Sequence, residues 1–156
     1  MKVLIAIDEF NFAQSIADFV NTHKWDTETE FVVLSVIEPL KIGNVMAVLP
    51  GPVLDDMMVK RKEETERICE DFVRSISRTV PKPKIQKCIV EGFPTEEIMK
   101  KVTLEKPEML IVGSHGRHGI NRIILGSVSM FLVSHAPCSV VVIRPLDEVK
   151  DNKKIA

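Results

Sequence analysis

No cysteine pairing, no long hydrophobic run and no surplus of charge of one sign marks this sequence, and each absence removes a class of answer. Cys69, Cys88 and Cys138 are odd in number, far apart and never in CxxC spacing. They read as reduced core thiols rather than as a disulfide framework or a zinc site. Lys and Arg total 21 against 22 Asp and Glu, a net charge of −1, so nothing favours general attraction to nucleic acid or to an acidic membrane. The opening apolar run, Val3 to Ile7, is too short for a signal h-region or a membrane span, and Asp8 and Glu9 come at once after it; the cytoplasm is the expected location. Two phosphate loops are missing as well. No lysine follows Gly119 or Gly126 to complete a GxxxxGK[ST], and no GxGxxG follows the first apolar run. No Ser-His-Asp or Cys-His grouping can be assembled, and His115 with His118 lacks an evident third metal ligand.

What is present is an alternation. With 156 residues, 45% of them hydrophobic and 28% charged, the chain fits one globular domain with a real core. Val3–Ile7, Phe31–Ile37 and Met109–Val112 are compact apolar runs that read as buried strands, Cys138–Arg144 reads as a fifth strand ended by Pro145, and Ile85–Val90 reads as a strand toward an edge. Between them lie helical spacings: Phe12, Ala13, Ile16, Ala17 and Val20; then Leu54, Met58, Thr65, Ile68, Cys69, Phe72 and Ile76, with Lys60 to Glu64 as a solvated surface. A third helix carries Ile98, Val102 and Leu104 inward, with Thr95 as its cap. The fourth spans Val128 to His135. Residues 40–53, with Pro50-Gly51-Pro52, read as a long apolar loop. Five strands alternating with four helices predict a single α/β domain over residues 1–146, a Rossmann-like parallel sheet with helices on both faces, and a short charged tail over 147–156. If strand order is 3-2-1-4-5, Asp8 at the tip of the first strand and the loop after the fourth meet in one crevice.

That loop, Gly113-Ser114-His115-Gly116-Arg117-His118-Gly119, re-enters a helix at Gly126-Ser127. Gly113 and Gly116 permit positive φ and close approach of an anion, and free amides at a helix start favour a phosphate. The reading is a phosphate cradle built mainly from backbone, with the hydroxyls of Ser114, Ser127 and Ser129 beside it. A carboxylate at Asp8 could accept from a ribose, hold a divalent cation that bridges phosphates, or simply cap the first helix.

The spacing Gly113-x2-Gly116-x9-Gly126-Ser127 resembles the ATP-binding motif of the universal stress protein family. The likeness extends to Val3–Asp8, Leu34–Pro39, Gly92-x-Pro94 with Glu97-Ile98, and Ala136–Ile143. The resemblance implies an adenine-nucleotide-hydrolase-like fold and ATP as ligand, with Mg2+ or Mn2+ carried through Asp8. Asp8 would lie near ribose and metal, the Val36 backbone would meet adenine, and Gly92 and Pro94 would border the nucleotide. Gly113, Gly116, Gly126 and Ser127 would hold phosphates, with Ser114, Arg117, Val128 and Ser129 close by. The sequence departs from the family at Phe10, where members often carry a small or hydroxyl residue. The function implied is that of a nucleotide-dependent stress-response or signalling module, with no assigned catalytic residue and at most weak ATPase or autophosphorylation activity. The alternatives are an adenine-nucleotide-processing enzyme of the same α/β type, although the Ser-Gly-Gly-x-Asp-Ser and His-x-Gly-His signatures are absent, or a nucleotide-free scaffold working through the 40–53 loop.

The resemblance further implies a homodimer through the last strand. An edge made of Val140, Val141, Val142 and Ile143 would expose unpaired backbone and apolar side chains unless it met a partner. Light scattering at micromolar concentration is expected to return twice the monomer mass, and a monomer mass would contradict antiparallel pairing of that strand.

Overall fold

The computed structural model describes residues 1–8, 10–39, 51–80, 84–114 and 125–144. Along them run β1 (Lys2–Ile7), α1 (Phe10–Thr22), β2 (Glu30–Ile37), α2 (Gly51–Ile76), β3 (Lys84–Glu91), α3 (Pro94–Glu105), β4 (Met109–Gly113), α4 (Ser127–His135) and β5 (Ser139–Ile143). The strands form one sheet in the order β3-β2-β1-β4-β5, with every pairing parallel. This is the expected fold class and strand order.

Continuous apolar runs suit this sheet because both of its faces are covered. Alternate residues of one strand enter two separate cores. Val3, Ile5, Ile7, Phe31, Val33 and Ile111 pack with Ile16 and Val20 of α1 and with Ile68, Phe72 and Ile76 of α2. Leu4, Val32, Leu34, Leu110 and Val112 point the other way, onto Ile98 and Val102 of α3 and Leu132 of α4. Most of each predicted stripe is buried, with Leu54 and Met58 near the start of α2 only half-buried, and the shared sheet joins the two cores.

Two helix starts and the facing of one side chain differ from the sequence reading, each for a local reason. Helix α2 starts at Gly51 rather than after Val53, because Pro52 falls in the first turn, where a missing N–H breaks no helical bond. Residues 40–50 of the expected loop lie outside the described residues, as does the charged tail. Helix α3 is capped by Phe93 in extended conformation, not by Thr95, since Pro94 takes the first helical position and draws Thr95 inside. Leu104, expected inward, is 74% exposed, for it sits two residues beyond buried Val102 and so on the opposite side of the helix. Lys106 then ends α3 in the left-handed region, its N–H donating to the Val102 carbonyl.

Gly113 also has a different reason from the one its sequence position suggests. A Cβ there would fall 2.8 Å from Phe12 Cδ1 and 3.1 Å from Phe12 Cγ. Its φ is not positive; the residue is glycine because the Phe12 ring of α1 lies against the end of β4. Gly113→Ala is therefore expected to cost about 1–3 kcal/mol through overpacking. In a urea-unfolding double-mutant cycle, Phe12→Leu should recover part of that loss; strictly additive effects would show that the ring is not the obstacle.

Candidate functional site

At the carboxyl edge of the sheet the strands stop at different heights. The register pairs Ala6 with Val112, so Asp8 and Ser114, each two residues further on, leave neighbouring strands at the same level. Here the strand order reverses: the chain moves from β1 through β2 to β3, then returns to β4 on the other side of β1. Helices α1 and α4 start from this point onto opposite faces. Asp8 and the exit of β4 are thus neighbours at the same end of the sheet, as the order 3-2-1-4-5 requires.

β1 pairs with β2 only as far as Ile7 opposite Ser35, whereas β2 continues beside β3 through Val36 and Ile37. The Glu30 N–H donates to the Met1 carbonyl on the β1 side, and the Ile37 carbonyl accepts from the Gly92 N–H on the β3 side, at 3.1 Å. Alternation along a strand then turns the backbone of Val36 toward β1, at a height where β1 has ended. Gly92 is bound to its own conformation. Its φ is 155°, and a Cβ would lie 2.7 Å from Glu97 Cγ. Pro94 opens α3 immediately beyond.

The exit of β4 is a hydrogen-bonded junction. Ser114 is fully buried, its N–H donates to the Ile143 carbonyl at 2.8 Å, and its carbonyl accepts the Gly126 N–H at 2.7 Å. The Ser129 hydroxyl lies 2.9 Å from that same carbonyl and 2.9 Å from the Gly126 carbonyl, so its single proton is shared between them. This ties the start of α4 directly over the end of β4. Gly126 caps α4 in extended conformation with no side-chain hydrogen bond, which leaves the first amides of the helix, at Ser127 and Val128, without a capping side chain. Ser127 is exposed and Val128 half-buried. The positive end of the helix dipole adds to those amides.

The Val36 end of β2, Asp8 after β1 and the uncapped amides at the start of α4 all lie at the carboxyl end of the sheet, the end at which parallel α/β sheets take ligands. Gly116 and Arg117, like His115 and His118, lie outside the described residues; so does the side chain of Phe10. Among the described residues no three His, Cys, Asp or Glu side chains gather as a metal site, and no helix is long and apolar enough to cross a membrane. The thiols are free rather than bridged, and burial pushes Cys69 up to about 11.

One residue near the site departs from its expected setting. The charge run of α2 predicts a solvated Arg61, yet this residue is half-buried and its Nη1 donates to the Glu38 carbonyl at 3.1 Å. The signal lies in the spacing, because Arg61 falls between Met58 and Thr65 on the helical stripe that faces inward.

Comparison with known proteins agrees with this geometry. A model of the universal stress protein family matches residues 1–144. A universal stress protein from the QAH/OAS sulfhydrylase 3' region of Thermus aquaticus is 23% identical over 142 residues, covering 91% of this chain and 97% of that one. Universal stress protein MJ0577 of Methanocaldococcus jannaschii is 25% identical over 152 residues, which span 92% of this chain and 94% of the relative. The solved structure of MJ0577 superposes with a TM-score of 0.74 at 26% identity, over 92% of this chain and 94% of that chain. A universal stress protein family member from Arabidopsis thaliana, solved with AMP bound, has the same fold at TM-score 0.62 and 23% identity, covering 95% of this chain and 94% of its own.

The two serines of α4 should separate by substitution. Ser129→Ala removes a buried hydroxyl shared by two carbonyls and is expected to lower stability by about 1–2 kcal/mol in urea unfolding. Ser127→Ala, at an exposed position, should stay within about 0.5 kcal/mol of the unaltered protein. Equal effects would show that Ser129 does not hold the junction.

Proposed function

The chain belongs to the universal stress protein family, and we propose that it is an ATP-binding module of stress response or signalling whose state depends on the nucleotide it holds, with at most slow hydrolysis. One observation supports this reading: Asp8 and Ser114 leave neighbouring strands at the same level where strand order reverses, and the Ser114 carbonyl holds the Gly126 N–H at the start of α4. The relative solved with AMP supports an adenine nucleotide as the class of ligand.

In this reading the main chain at Val36 meets the edge of adenine, and Gly92 and Pro94 form the turn that borders the nucleotide. Asp8 accepts from ribose hydroxyls or holds Mg2+ or Mn2+ against the phosphates. The amides of Ser127 and Val128 take phosphate oxygens, with the Ser127 hydroxyl beside them. Gly113, Ser114, Gly126 and Ser129 act by position, since they hold the helix start over the strand end. Gly116 and Arg117 complete the phosphate side of the motif. A bound cation would supply charge neutralisation between phosphates, and the chain supplies the orientation. The same reading includes a cytoplasmic homodimer. Its contact is β5, whose Val140 to Ile143 are only half-buried at the sheet edge.

Protein purified without added nucleotide is expected to absorb in excess at 260 nm and to release ATP or its adenine products on denaturation, as identified by mass spectrometry. Gly116→Val should abolish the carried nucleotide, with affinity roughly tenfold or more weaker. A nucleotide-free protein that takes up no added ATP would overturn the proposal.

A further inference from the structure

β2 overshoots its neighbour. Beyond Ile7 opposite Ser35 it pairs with no strand on the β1 side among the described residues, yet it continues through Ile37 and on to Glu38. This overhang presents the Val36 backbone, and a hydrogen-bonding edge discriminates between ligands only if it is held still. Two contacts hold it. Gly92 N–H donates to the Ile37 carbonyl at 3.1 Å, as the last rung toward β3. Arg61 Nη1 donates to the Glu38 carbonyl at 3.1 Å, from a helix on one face of the sheet.

The position of Arg61 in α2 is also particular. Thr65 is the first buried residue of this helix, and its hydroxyl donates back to the Arg61 carbonyl at 2.9 Å. Arg61 thus stands one turn before the helix enters the core, at the height where β2 leaves it. Its long stem lies half-buried while its guanidinium binds a main-chain oxygen two residues past Val36. A surface charge selected for solubility has no need of that arrangement.

We propose that Arg61 is a positioning residue for base recognition: by holding the Glu38 carbonyl it fixes the overhanging end of β2 so that the Val36 backbone selects adenine over other bases. The inference rests on the ATP-binding reading. It goes beyond it by assigning base selectivity to a side chain that does not itself touch the nucleotide.

The test is isothermal titration of the full chain with ATP and separately with GTP, for the unaltered protein, Arg61→Met and Arg61→Lys. Arg61→Met keeps the apolar stem and loses every donor; its ATP affinity should fall about fivefold to tenfold, with GTP affinity within about twofold. Arg61→Lys retains one mobile donor and should restore part of the preference for ATP. If Arg61→Met does not fold, Arg61→Lys against the unaltered protein reads the same loss of preference. Equal loss for ATP and GTP would mean a general collapse of the pocket and would overturn the proposal, as would unaltered ATP binding in Arg61→Met. Failure of the unaltered protein to bind ATP is a separate result, and it would remove the functional reading together with this inference.

Discussion

Connections between parallel strands cross over with one hand, so the direction in which the chain moves across the sheet decides the face on which its helix lands. Here the chain moves from β1 to β2 to β3, then jumps back past β1 to β4 and β5. The first two helices share one core and the last two share the other. Between β1 and β4 the helices depart to opposite faces, which leaves an opening between their starts at the carboxyl end of the sheet. The position of the candidate site is a consequence of handedness and strand order before any side chain is considered.

The residues of that opening do different work from what their types first suggest. Three glycines show this. Gly92 is required by its backbone angle, and Gly113 by the Phe12 ring that occupies the space of its missing Cβ. Gly126 leaves a helix start without a capping side chain. A phosphate motif written as spaced glycines is therefore partly a packing motif. Likewise Ser129 spends its hydroxyl proton on two carbonyls, which makes it a fastener of strand to helix. Rigidity at this junction matters for an anion site built from amides, because main-chain dipoles stabilise charge well only when they need not reorient.

A second constraint is the unequal length of β1 and β2. The two extra residues at the end of β2 lose their neighbour on one side, and backbone polar groups without a strand partner need another one or a ligand. Arg61 answers this for the Glu38 carbonyl, while the Ile37 carbonyl keeps its ladder partner, the Gly92 N–H, on the β3 side. α2 reaches far enough to supply Arg61 because it starts at Gly51, well before its first buried residue.

Fold class is legible in the sequence because it depends on short-range patterns, whereas the strand order 3-2-1-4-5 entered as a condition that the structure meets. Apolar runs of strand length and stripes at helical spacing survive in almost any context. Cap positions are less legible: Pro94 displaces Thr95 from the cap of α3, and the choice depends on which residue reaches the first turn. Leu104 misleads because inward facing is set by helical phase, not by apolarity. Spacing shows that Arg61 lies on the inward stripe of α2, but its role and those of Gly113 and Ser129 are not legible, since their partners, the Glu38 carbonyl, Phe12 and the Ser114 carbonyl, are distant along the chain and adjacent only once the layers close. By itself the sequence determined which segments are strands and helices and which face of each is apolar, because both arise from local periodicity. Tertiary structure alone decided which polar groups tie the strand ends to the helices, because hydrogen bonds and ring contacts between layers depend on distances that no spacing along the chain encodes.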